Sequence, residues 1–314
     1  MIGEDFPKSL LEFEKQFATE EMCRDHLFRI KYPEGFKCPD CGHKEFWWTR
    51  RQLMYCKGCG HQISLRVGTI MEASKKPLML WYRAIFLVAF QKVGISAKNL
   101  QQQLGLGSYQ TAWVWLHKIR LSMKKRDREP LKGRIEVDES YSGGKTEGKR
   151  GRGAENKSLL AVGVERGPGK KMGRIRIEKV ADASGDSLGD FIKRNIQECS
   201  IIKTDGWKGY SFLSGSNYEH EVIKKKDENK LLPSIHLVIS QFKRWTLGTH
   251  QGLVNNKHLQ VYLDEFVFRF NRRKSKSRGK VFYRLLEQAI VYKATPYWKI
   301  IGRSAPNIPL ELAA

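Results

Sequence analysis

The 314-residue chain has no apolar run long enough to cross a bilayer. A membrane-spanning helix needs about 20 consecutive apolar residues, and the best stretch here, 84–90, is flanked by Arg83 and Lys92. The first fifteen residues mix acids, lysines and apolar side chains and lack the basic-then-apolar order of a secretion signal. A cytoplasmic, nucleoid-associated location and no membrane partner are therefore expected. Internal repeats and long low-complexity segments are absent too. Acidic residues are scarce: 33 Asp and Glu against 57 Lys and Arg leave a formal charge of +24. Cysteine is limited to six positions, of which Cys23 and Cys199 stand alone and the other four form two tight pairs. In a reducing compartment, paired cysteines point to metal rather than to disulfides.

What is present completes the frame. Hydrophobic residues at 40% and aromatics at 11% suffice for packed cores. The length fits two or three compact units. The positive excess concentrates polyanions. Nucleic acid is the partner it suits best, because binding releases counterions from phosphates. Charge alone would also fit a ribosomal or membrane-surface protein.

Helical spacing is read over 6–29, 78–93, 97–104, 109–123, 186–198, 233–247, 256–271 and 280–292. Pro77 opens the second of these, and Ser96 and Ser108 stand where they can cap the next two. Strand patterns fall at 134–141, 159–165, 173–180, 201–204 and 218–224. The order strand, strand, strand, helix, strand, strand, helix predicts one mixed sheet with helices packed on it. The expected organisation is an N-terminal helix and zinc ribbon (1–70), a helix-turn-helix segment (75–128), a mixed-sheet domain (130–250) and a basic helical C-terminal region (251–314).

Cys38-Pro39-Asp40-Cys41 and Cys56-Lys57-Gly58-Cys59 each place two thiolates on one tight turn. Two such knuckles facing each other supply the four tetrahedral ligands that zinc requires. The segment between them, 42–55, is one residue under the usual minimum for this pattern. His43 and His61 follow the knuckle glycines and are expected at the surface or behind the ligands. The second helix after Gly94 offers Ser108, Gln110 and Thr111 at its start, residue types suited to phosphate or base-edge contact. The same spacing also fits an ordinary packed helical hairpin.

Asp138 lies in the strand Ile135-Glu136-Val137-Asp138-Glu139, and Asp205 ends the strand Ile201-Ile202-Lys203-Thr204 just before Gly206. A carboxylate inside a sheet is costly to bury unless it meets a cation. Two carboxylates on neighbouring strands can share Mg²⁺ or Mn²⁺ for phosphoryl transfer. Solvent-facing strand acids are common, so spacing alone leaves both readings open.

Taken in order, the zinc ribbon, the helix pair, Val137-Asp138-Glu139-Ser140-Tyr141 with Gly143-Gly144-Lys145, and Thr204-Asp205-Gly206-Trp207 resemble bacterial insertion-sequence transposases of the zinc-ribbon, ISXO-like group. The tail Tyr262-Leu263-Asp264-Glu265-Phe266 with Phe268-Arg269-Phe270-Asn271-Arg272-Arg273 fits the same resemblance, which spans about 17–292. It implies a DDE-type enzyme with a ribonuclease-H-like catalytic domain, and so a multidomain α+β fold. It also implies binding to terminal inverted repeats, hydrolysis at the element's end and transfer of the freed 3′-hydroxyl to target DNA. In that family the third metal ligand sits on the helix after the fifth strand, commonly as Glu or Asn, with a Lys two turns on. The matching positions are His236 and Lys243, so Asp138, Asp205 and His236 are the expected ligands of Mg²⁺ or Mn²⁺. Imidazole in place of carboxylate favours Mn²⁺. Glu139 is the competing acid, although alternation turns it to the other sheet face. Lys145, Lys149, Arg150 and Arg152 form an expected phosphate-gripping loop. Arg269, Arg272 and Arg273 begin the densest basic run, expected on DNA or as a solvated helix end. Assembly as a homo-oligomer on duplex DNA is expected. Two other functions stay open: a non-catalytic DNA-binding regulator, and a nuclease or junction resolvase that cuts without joining.

Overall fold

The computed structural model describes residues 6–124, 128–143, 157–169, 171–223, 232–252 and 256–304. It divides into two compact units, one formed by 1–123 together with 275–314, the other by 124–274. The ribbon and the helices that follow it thus share one unit. The stretch 251–314, expected as a region of its own, is divided between the two at 274/275. No helix among the described residues is long and apolar enough to cross a membrane.

In the first unit, α1 (Leu10–Gln16) and α2 (Glu20–Lys31) replace the single helix read from the sequence. Ser9 and Thr19 cap them through bonds from Glu12 N and Met22 N. The ribbon sheet follows: β1 (Phe46–Trp48), β2 (Leu53–Cys56) and β3 (Gln62–Ser64), antiparallel in that order. Three helices come next, α3 (Leu78–Phe90), α4 (Ala97–Leu104) and α5 (Tyr109–Ser122). The start of α3 has no cap of its own. Glu20 serves instead, accepting from Leu78 N at 2.6 Å and Met79 N at 3.0 Å, so a carboxylate answers the free amides at a helix N-terminus. Ser96 and Ser108 cap α4 and α5 as their positions suggested, and Gly105 closes α4 in the left-handed conformation. The helix α9 (Arg278–Val291) buries Phe282, Leu285, Leu286 and Ala289 and packs on α3. That apolar face is why 275–314 returns to this unit. A short helix, α10 (Tyr297–Ile301), packs on α5.

The second unit is a mixed five-stranded sheet. Its strands are β4 (Arg134–Ser142), β5 (Ser158–Arg166), β6 (Met172–Val180), β7 (Ile201–Thr204) and β8 (Glu219–Val222), in the order β6-β5-β4-β7-β8. The first three form an antiparallel meander; β7 and β8 run parallel to β4. Both faces are covered. On one, Leu160, Val162, Val164, Ile175 and Ile177 meet α7 (Pro233–His250) and α8 (Leu259–Asn271). On the other, Ile135, Val137, Ala161 and Ile202 meet α6 (Gly185–Asn195) and Tyr210 of a 3-10 helix, Lys208–Leu213. Double coverage explains the run of buried residues through β5. This is the mixed sheet with flanking helices expected of a ribonuclease-H-like domain.

Candidate functional site

The four ribbon cysteines converge: their sulfurs all lie within 4.8 Å of one another. The two knuckles share one hydrogen-bond pattern. Cys38 N donates to His43 O and Gly42 N to Cys38 O; Cys56 N donates to His61 O and Gly60 N to Cys56 O. Gly42 and Gly60 both sit at φ 74°, where a side chain would be strained. The Cys38–Cys59 and Cys41–Cys56 sulfur separations are 3.7 and 3.6 Å. Tetrahedral zinc with Zn–S bonds of about 2.3 Å requires sulfurs about 3.8 Å apart, so the donor set fits zinc. Burial pushes the Cys56 thiol up, but N–H groups of Cys59 and Gly58 and the neighbouring thiols bring it down to about 7, while hydrogen bonding within the cluster raises Cys41 and Cys59. His43 and His61 supply no ligand to this cluster; His61 Nδ1 lies 2.7 Å from Asp40 of the other knuckle.

Sheet register relates the segments that carry the acidic pair. Arg134 faces Ile201 and Glu136 faces Lys203 across the parallel β4–β7 pair. Asp138 lies two residues further along β4, and Asp205 directly follows the last residue of β7. Asp138 also faces Val162 across β5, and Val162 belongs to the core under α7 and α8. Ile202 packs on the opposite face, so alternation along β7 turns Lys203 to the α7 face; Asp205 follows the strand's end. Backbone amides orient both carboxylates: Glu139 N donates to Asp138 Oδ1 at 2.8 Å, and Trp207 N to Asp205 Oδ1 at 3.0 Å. Glu139, the competing acid, lies on the other face, where it accepts from the buried Tyr210 hydroxyl at 2.9 Å. Burial, with the charges of Glu139, Asp138 and Asp205 beside it, holds the Tyr210 phenol well above its usual range.

Glu136 has a structural task that sequence reasoning missed. It accepts from Ser234 N at 3.1 Å and pairs with Arg166 at 3.4 Å, anchoring the start of α7 in place of a side-chain cap. On α7, Phe242 and Trp245 pack on Phe266 of α8. His236 stands nine residues before Trp245, about 900° or half a turn out of phase at roughly 100° per residue. His236 and Lys243 are both exposed. Seven residues apart, they share one face of α7. Among the described residues, no second group of three or more Cys, His, Asp or Glu side chains converges as the cysteines do. Asp138, Asp205 and His236 are therefore not gathered into a closed three-ligand cluster.

The expected DNA contacts divide. Ser108, Gln110 and Thr111 lie on the first turn of α5 or its cap; Ser108 Oγ accepts from Thr111 N at 3.1 Å and contacts its hydroxyl at 3.0 Å, and Gln110 Nε2 donates to the Tyr297 hydroxyl. Lys145, Lys149, Arg150 and Arg152 lie outside the described residues. Arg269 has an internal partner: its side chain is only 11% exposed and pairs with buried Glu265 at 2.6 Å. Arg273 donates to Met172 O at 2.6 Å and Gly173 O at 3.1 Å, and Arg272 stacks 3.8 Å from the Phe268 ring centre. The dense spacing of these cations gave no sign of their internal partners.

Comparison with known proteins agrees with this architecture. Residues 130–271 match the ISXO2-like transposase domain and residues 18–62 match the transposase zinc-ribbon domain. A protein of Halobacterium salinarum described as an uncharacterised protein in transposable element ISH50 is 26% identical, over 81% of this chain and 92% of its own length. The first match covers the sheet with Asp138, Asp205, α7 and α8, and the second covers the four cysteines. The chain belongs to the insertion-sequence transposases that join a zinc ribbon to an ISXO2-like transposase domain.

Proposed function

We propose that this transposase binds the terminal inverted repeats of its element and cuts and joins DNA at a site formed by Asp138, Asp205 and His236, acting on the nucleoid as a homo-oligomer. The observation that supports this reading is that β4, which carries Asp138, pairs in parallel with β7, which Asp205 directly follows, and that a backbone amide orients each carboxylate. Such a pair fits divalent cations, since hard oxygen donors suit Mg²⁺ and Mn²⁺; in this reading His236, exposed on α7, is the third ligand. Bound there, the cations supply charge stabilisation for the attacking and leaving oxygens. Asp138 and Asp205 hold their positions through backbone bonds, which keeps the charges fixed before DNA arrives. Lys243, two turns from His236, takes a phosphate of the bound strand. Water opens the phosphodiester at the element's end, and the freed 3′-hydroxyl attacks target DNA. The first turn of α5 reads base edges, while the ribbon, the loop with Lys145, Arg150 and Arg152, and the run with Arg272 and Arg273 hold backbone phosphates.

The test uses purified protein and a labelled duplex carrying the element's own end, with Mg²⁺ and Mn²⁺ in separate reactions. Asp138→Asn and Asp205→Asn are expected to lose cleavage by at least about 10³-fold and keep end binding. His236→Ala is expected to do the same, and His236→Glu to retain part of the activity with preference shifted toward Mg²⁺. Wild-type cleavage by His236→Ala would place the third ligand elsewhere. A wild-type protein that binds ends but cuts with neither ion would be a DNA-binding regulator, and one that cuts but never joins would be a nuclease.

A further inference from the structure

The first turn of α5 carries an open slot of about 310 Å³, lined by Gln110, Thr111, Val114, Trp115 and Tyr297. Four of these belong to α5. The fifth comes from α10, nearly 190 positions away in the chain. Pro296 precedes α10, and Ile300, buried, fixes it in the unit. Tyr297 itself stays 40% exposed. Its hydroxyl accepts one N–H of the exposed Gln110 side chain.

That bond changes what Gln110 can do. A free surface glutamine samples many rotamers, and ordering it on binding lowers affinity and blurs specificity. The amide nitrogen carries two N–H groups. Donation to Tyr297 through the N–H anti to the carbonyl leaves the syn N–H and the carbonyl oxygen side by side, with the amide's rotation restrained by that bond. This pair matches the major-groove edge of adenine, whose N6 amino group donates and whose N7 accepts. Val114, half-buried on the wall of the same slot, suits the 5-methyl group of the paired thymine.

We infer that Tyr297 is a specificity-determining residue: it holds Gln110 in the orientation that reads one A·T pair of the terminal repeat through the major groove. The inference rests on the reading of α5 as a DNA-reading helix. It assigns to the C-terminal end of the chain a role in recognition, although α10 touches α5 from outside the helix pair.

The experiment measures affinity for duplexes that carry the element's terminal repeat with each base pair changed singly, and for a random duplex. Wild type, Tyr297→Phe, Gln110→Ala and the double variant are compared. Tyr297→Phe keeps the ring and the slot and removes only the hydroxyl; an unchanged Tm confirms the fold. At one A·T position, Tyr297→Phe and Gln110→Ala are each expected to reduce discrimination by about tenfold, the double variant no further than Gln110→Ala, and affinity for random duplex to stay the same. A 7-deaza-adenine at that position is expected to weaken wild type and not Gln110→Ala. Undiminished discrimination by Tyr297→Phe, alongside loss in Gln110→Ala, would overturn this inference and leave the DNA-reading role of α5 standing. No loss in Gln110→Ala at any position would overturn both.

Discussion

The six thiols meet three environments, and each sets a different chemistry. Cys23 is fully buried, and burial, with Glu20 nearby, pushes its thiol up to about 12. It cannot supply the thiolate that reacts or binds metal. Cys199 is exposed and separate from the cluster, while the other four converge on one point. The zinc-loaded protein is therefore expected to give one fast thiol in reaction with an aromatic disulfide reagent, and six after chelation and denaturation. Cys56→Ser should purify without zinc and with the ribbon unfolded, because metal binding and folding are coupled in so small a module; Cys23→Ala and Cys199→Ser should keep one zinc per chain by elemental analysis. Four fast thiols or more in the native protein would contradict the site.

Backbone amides orient both aspartates, and the turn after β7, next to Asp205, is closely packed. Gly206 has φ 78°, and a Cβ there would lie 2.6 Å from Val222 Cγ1 of β8. Thr204 Oγ1 accepts from Gly206 N, and Trp207 Nε1 donates to Ala183 O, so the turn cannot relax without moving Asp205. Gly206→Ala is expected to destabilise the unit by at least about 1 kcal/mol and to lower cleavage at least tenfold while end binding persists. Gly248 is the control: it lies in α7 with nothing near a new Cβ. Gly248→Ala should leave cleavage unchanged and stabilise by about 0.5–1 kcal/mol. Equal cleavage by both variants would show that the turn does not position Asp205.

At the scale of the whole molecule, charge governs association. With a formal charge of +24, affinity for random duplex is expected to fall by roughly 10³-fold between about 50 and 200 mM salt. Neutralising Arg272 and Arg273 together should flatten that slope. Arg269→Gln should instead lower the Tm. It removes a charged partner of Glu265, whose side chain is 2% exposed, and breaking a buried pair from one side costs about 3 kcal/mol. A flattened slope with unchanged Tm for Arg269→Gln would make it a phosphate contact after all.

Local pattern alone determined much of this protein. Two matched knuckles specify a zinc site because the ligands of each pair are neighbours in sequence. Ser96, Gly105 and Ser108 bounded α4 and α5, since caps act within one turn, and alternation separated Asp138 from Glu139. Tertiary structure decided what depends on distant partners. Only strand pairing made β4, which carries Asp138, a neighbour of β7, which Asp205 follows, and only packing put Trp245 against Phe266 of α8. Glu136 and Asp138 look alike in sequence, yet one anchors a helix 98 residues away. Arg269 read as a free cation until Glu265 met it. The helix α10 and its Tyr297 gave little signal, because five residues show no period. Side-chain roles set by long-range contacts leave no local trace, which is why the metal knuckles were legible and the partners of the acids and arginines were not.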